Sequence, residues 1–189
     1  MRKLAALAGA VGLAGGLAAC SSSGSSSSST ATPKPTATSG AETFSGTVTG
    51  KAAVANSSTF ALTFSGPVAT TGTQTLSGNG PKKGQHHTFP TKAGNLVAVV
   101  SGSVVNSQKL LSTTTCRFEY STVVPFTVDG AASTGKFAGS SGKGVVTVLF
   151  TADLPKLSSG KCNTSNNAQP LAAAAVGTFK GVATLTVKQ

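Results

Sequence analysis

Covalent, metal and acid–base chemistry in proteins rests mostly on cysteine, histidine and carboxylate side chains, and this chain has few of them. They are Cys20, Cys116 and Cys162, the adjacent His86 and His87, and four acids: Glu42, Glu119, Asp129 and Asp153. A carboxylate-rich active site is therefore unlooked for. A zinc site wants three or four ligands of mixed His, Cys and carboxylate type. Neighbours on a strand face opposite ways, and Pro81-Lys82-Lys83-Gly84-Gln85-His86-His87-Thr88 reads as an exposed loop. No metal ligand set is assigned. Glu119 and Asp129 flank Pro125, which leaves paired-carboxylate chemistry open. Arg117 stands two residues from Glu119, and a surface ion pair is the simpler account.

Other chemistries lack their parts. Gly139-Ser140-Ser141-Gly142-Lys143-Gly144 has Phe137 and Gly144 where a phosphate-cradling Walker loop needs Gly and Ser or Thr, and no helix pattern follows. Serines abound, but no Gly-x-Ser-x-Gly elbow is present. Single-stranded nucleic-acid binding calls for exposed aromatics among basic residues, and the nine Phe and one Tyr fall mostly on apolar faces. No catalytic residue, cofactor or nucleic-acid partner is expected.

The cysteines divide by context. Arg2 and Lys3 precede the uncharged run Leu4–Ala19, whose 16 residues fall short of the roughly 20 that cross a bilayer. A positive start, a short apolar stretch and small residues before a cut site describe a secretory signal peptide over 1–19. Leu17-Ala18-Ala19-Cys20 resembles the lipobox of bacterial lipoproteins. That resemblance implies a diacylglyceryl thioether on Cys20, cleavage before it, and a further acyl chain such as palmitate on the new amino group. Two or three chains anchor a protein stably where one does not. The implied setting is the extracytoplasmic face of the cell membrane.

Cys116 and Cys162 then form an even pair in an exported protein, where a disulfide is the default. Cys116 shares a face with Phe118 and Tyr120, whereas Cys162 lies in the loop Ser-Ser-Gly-Lys-Cys-Asn-Thr. No Cys-x-x-Cys or neighbouring His marks either as a reactive thiol.

These residues must be held by the rest of the chain. Residues 20–40 read as the lipidated Cys20 followed by a disordered tether, since 21–40 are rich in Ser, Thr and Pro and contain nothing apolar larger than Ala or Pro. As a flexible coil it spans roughly 25 Å root-mean-square. Residues 41–189 have the size of one domain. Taking Arg2 and Lys3 from the 15 basic residues leaves 13 against 4 acidic, a net of +9. That charge suits anionic headgroups or anionic envelope polymers. Charged residues are only 10% of the chain, well under the roughly 25% of an ordinary domain, which excludes coiled coils and long helices.

The domain reads in twos. Phe60, Leu62 and Phe64 alternate with Thr59, Ala61 and Thr63, and Phe179, Gly181, Ala183, Leu185 and Val187 alternate with polar or smaller residues. Such alternation predicts half-buried antiparallel strands. Further strands are expected at 43–50, 73–77, 95–105, 115–124, 126–129 and 144–152. The segment 171–176 is open between strand and short helix. Short, evenly spaced strands predict an all-β fold, an antiparallel barrel of about eight strands with a sandwich as the alternative. Four Phe-x-Gly triplets begin at Phe44, Phe64, Phe137 and Phe179. A ring from a neighbouring strand can lie over such a glycine and let a sheet curve closed.

Ser133-Thr134-Gly135-Lys136-Phe137-Ala138-Gly139-Ser140-Ser141-Gly142, leading into Val145–Phe150, is similar to a hairpin of the allene oxide cyclase and dirigent-like barrels. The likeness covers about ten residues, with Ser133 and Ser140 departing from the commoner Gly and Ala. It implies an eight-stranded barrel with a central cavity and carries over no catalytic residue. Together these readings describe a lipid-anchored binding or structural module of the cell envelope. A cyclase- or isomerase-like enzyme, or a carrier of a small apolar ligand, is the alternative.

Overall fold

The computed structural model describes residues 36–188 apart from 79 and 166. The segments expected to be a signal peptide, a lipobox ending in Cys20 and a tether lie outside them as far as residue 35. The described chain is almost entirely strand: β1 (Ala37–Thr49), β2 (Ser57–Ser65), β3 (Thr70–Ser77), β4 (His86–Thr91), β5 (Gly94–Val100), β6 (Val105–Ser112), β7 (Arg117–Val128), β8 (Ser141–Asp153) and β9 (Leu171–Lys188). One helical turn, α1 (Lys51–Val54), and a 3₁₀ turn at Gly135–Phe137 complete it.

Every pairing is antiparallel, in the order β5-β4-β3-β2-β1-β9-β8-β7-β6, and β5 also pairs with β7. That last pairing, Ala98–Val100 against Val128–Phe126, closes an eight-stranded barrel. β6 is the extra strand, inserted between β5 and β7 and paired with the first half of β7. Apart from this detour each barrel strand neighbours its successor, and β9 returns to β1 along their whole length, from Ala37↔Lys188 to Thr49↔Val176.

Alternation explains most of these strands. In β2 every second residue, Ser58, Phe60, Leu62 and Phe64, is buried and the others are exposed. β9 buries Ala175, Gly177, Phe179, Gly181, Ala183, Leu185 and Val187 in the same rhythm. The segment 171–176, open from sequence, is strand, because β8 pairs with it on one side and β1 reaches Val176 on the other. Residues 37–40, expected in the tether, belong to β1. Backbone bonds to β9 hold them, and a ladder of that kind does not need large side chains.

The Phe-x-Gly triplets of β1 and β9 interlock. Phe44 is the register partner of Gly181, and Phe179 of Gly46. A Cβ on Gly181 would collide with the Phe44 ring, so the glycine makes room for the aromatic. Phe44 also stacks on Phe64, with centroids 5.1 Å apart. Seven of the nine phenylalanines pack in the barrel core. The other two, Phe118 and Phe150, join a smaller cluster with Ala152, Leu154 and Ala175 around Cys116.

Two prolines interrupt the wall. β7 runs on through Pro125, where two strands were expected, because β8 pairs with it across that position. Pro125 has no N–H to give, and it lies where the partner on the other side changes from β5 to β6. Its carbonyl accepts from Ser101 N at 3.0 Å. The expected strand 95–105 accordingly breaks after Val100. Pro90 sits next to the single β3–β4 register pair, Gly72↔Thr91, and beyond it those strands are unpaired.

Candidate functional site

Successive connections of an up-and-down barrel alternate between its ends, and the two ends here are finished differently. At one end the β7–β8 connection folds across the axis and inserts Phe137, which is completely buried. This segment, expected from sequence to be a hairpin, is a plug that leads into β8. Asn95 N donates to Thr134 Oγ1 and Val97 N to Ser133 Oγ, both at 2.9 Å. Thr134 N donates back to Asn95 O, and Lys136 N to Ala93 O. Val68, in the β2–β3 connection, is buried at the same end.

Glu42 lies just inside this plug, 1% exposed. Its Oε2 accepts from Val68 N at 2.9 Å, while Oε1 has no partner. Burial pushes its carboxyl above the ordinary carboxylate range, and the Val68 hydrogen bond only partly opposes this. A raised carboxyl in the folded state means that ionisation works against the fold.

At the other end the inward positions are smaller or more polar, and a cavity of about 370 Å³ remains. Phe89, Phe126 and Phe179 form part of its lining; Ala98, Val124 and Val146 lie along its sides, and the β3–β4 connection borders it at Gly78, Gly80 and Pro81. Gln74 and His87 line it from the two strands that part beyond Pro90. No Lys, Arg, Asp or Glu is among the residues that line it.

Gln74 is 5% exposed. Its Nε2 donates to the Thr75 carbonyl at 3.2 Å, which fixes the orientation of the amide, since only the nitrogen can donate. Oε1 is left buried without a partner, and so is His87 Nε2. Burial lowers the His87 pKa, so the ring is neutral at neutral pH. On the far wall Tyr120 Oη and Thr122 Oγ1 both donate to Asn106 Oδ1 of β6, at 3.0 and 2.8 Å. This clasp holds the detour strand beside the cavity.

The other expected residues fall as follows. Cys116 and Cys162 form a disulfide. Cys116 is fully buried, but in the turn before β7, and it faces the smaller cluster rather than the barrel. His86 and His87 begin β4 instead of lying in an exposed loop. His86 faces outward, its Nδ1 3.6 Å from Asp129 Oδ2, while His87 faces the cavity. Arg117 pairs with Asp153 across the β7–β8 ladder, Nε to Oδ1 at 2.7 Å, and not with Glu119. Glu119 lies in β7 and Asp129 just past its end, ten residues on and roughly 30 Å away at strand spacing, too far to act as a catalytic pair. Among the described residues no three His, Cys, Asp or Glu cluster in a way that could hold a metal.

Gln74 and Glu42 are buried polar groups with an unpartnered oxygen whose burial the sequence pattern does not mark. Gln74 falls in an expected strand, on the face opposite Thr73 and Thr75, but the inward sense of that face was not evident. Glu42 precedes Phe44 by two positions, and that spacing is the signal that places it inside. Comparison with protein-family models, curated proteins and solved structures finds no match to this chain.

Proposed function

We propose that this is a lipid-anchored extracytoplasmic protein whose barrel binds a small, mainly apolar molecule in its open end. The observation that carries the binding reading is the cavity itself. Its volume of about 370 Å³ lies at the small end of the roughly 300–1,000 Å³ of small-molecule pockets. Its lining is mostly apolar with a few polar groups, the usual character of such sites. The extracytoplasmic setting is supported by the lipobox resemblance at Leu17–Cys20 and by a disulfide, which persists in oxidising compartments. No carboxylate lines the cavity, and its titratable residues are His87 and Tyr120, whose hydroxyl is engaged with Asn106; with no acid–base pair set against each other, binding is the simpler role.

Two measurements test the two halves. Labelled palmitate should enter the full chain and be lost in Cys20→Ser; equal labelling of both would remove the anchor. Native mass spectrometry of the full chain should show a co-purified small molecule, or take up the fluorescent probe N-phenyl-1-naphthylamine. A bare mass with no probe uptake would remove the ligand.

A further inference from the structure

The lining of the cavity restricts what can occupy it, given the ligand-binding reading above. A charged ligand would shed its hydration among phenylalanine, valine and alanine with no opposite charge on the wall, which is costly. A wholly apolar ligand would leave Gln74 Oε1 and His87 Nε2, which have no partner within the protein, buried and unpaired. Buried polar atoms without partners are rare in folded proteins and mark places where something else supplies the bond. These two stand on β3 and β4, on either side of the unpaired stretch beyond Pro90, and line one cavity.

Their chemistries are complementary to one group. Gln74 Oε1 can only accept, because an amide oxygen carries no hydrogen, and the bond from Nε2 to Thr75 O fixes which end of the amide it is. A neutral imidazole can carry its proton on Nε2 and donate. A hydroxyl donates one hydrogen bond and accepts others, so it satisfies both atoms at once. We propose that the cavity takes a compact, uncharged, largely apolar molecule whose hydroxyl sits between Gln74 Oε1 and His87 Nε2. Phe89, Phe126 and Phe179 receive the apolar body. The two polar atoms set its orientation and select hydroxylated molecules over hydrocarbons of the same shape.

The probes are three molecules of one outline, 2-naphthol, 2-methylnaphthalene and 2-naphthoate, titrated by calorimetry into the full chain. 2-Naphthol is expected to bind about tenfold more tightly than 2-methylnaphthalene, the usual scale for satisfying buried polar atoms otherwise left bare. 2-Naphthoate should bind more weakly than either. In Gln74→Met and His87→Leu the preference for the hydroxyl should collapse while 2-methylnaphthalene still binds. Equal affinity of the hydroxyl and methyl probes for the unaltered chain overturns the hydroxyl anchor and leaves the ligand reading standing. Tighter binding of the carboxylate overturns the requirement for an uncharged ligand. If none of the three binds, the ligand reading itself fails. The unaltered chain decides each of these outcomes even if a variant does not fold.

Discussion

At the plugged end of the barrel, Phe137 fills the axis and reciprocal hydrogen bonds join the β7–β8 connection to Ala93, Asn95 and Val97. At the cavity end the inward residues include Gln74, Ala98, Thr122 and Val146, and β3 and β4 part beside Pro90. The same eight strands supply both ends, so strand order cannot account for the difference. It comes from side-chain volume and from where a backbone donor is missing. Large aromatics with long-range hydrogen bonds make a lid; small residues and a proline leave a chamber. Packing is concentrated at the end without the cavity; if the cavity end is the binding site proposed above, the barrel combines stability with a less tightly packed site in the usual way.

The contrast can be broken from either end. The largest effect is expected from Phe137→Ala, which removes a fully buried ring and should cost about 3–5 kcal/mol in urea denaturation. Probe binding by the folded fraction should be unchanged, because Phe137 does not line the cavity. A loss below about 1 kcal/mol, within the range of surface substitutions, would mean that the plug is not what holds that end together.

Replacing Cys116 and Cys162 together by Ala should cost about 2–4 kcal/mol, since the bridge closes a long loop in the unfolded chain. The bridge spans 46 residues and ties the turn before β7 to the β8–β9 connection. It should not alter the cavity, and a changed probe affinity in the double variant would show that the smaller cluster shapes the mouth.

Gln74→Leu sharpens the comparison, because the sign reverses. Removing a buried unpartnered amide oxygen should raise stability by about 1 kcal/mol, read as a higher urea midpoint, while hydroxyl selectivity is lost. Destabilisation would mean that Gln74 is a structural residue whose Thr75 bond matters more than its free oxygen.

The gentlest probe is pH at Glu42. Its folded-state pKa is raised, so its favourable contribution is complete below the unfolded value and declines as pH rises through the folded one. Glu42→Gln keeps an acceptor for Val68 N and removes the charge. It should leave the melting temperature unchanged near pH 4 and raise it near pH 8. An equal shift at both would assign the effect to packing.

The general shape was legible because buried strands leave a period-two trace. β2 and β9 could be read from Phe60–Phe64 and Phe179–Val187, and the Phe-x-Gly spacing foretold the ring of Phe44 lying on Gly181. β6 left no such trace, since nearly all its residues are exposed on both faces. β4 was hidden because Phe89 alone is buried among mostly polar neighbours, and Pro90 signals a break that is real on the β3 side alone. Pro125 misled in the opposite direction: its missing donor falls at the handover from β5 to β6, so β7 survives it. The cavity was less legible still. A glutamine in a Thr-rich strand looks the same in sequence whether it meets solvent or a chamber, and only closure of the sheet brings it near a histidine from the next strand.

The longest seam of the barrel joins its first strand to its last, thirteen register pairs between β1 and β9. During synthesis β1 therefore emerges well before its partner exists, and two raw sheet edges persist until β9 is made. Contacts so distant along the chain form slowly, and exposed edges invite mispairing meanwhile. The ring is thus a late event, completed only when the whole domain is present to close on itself.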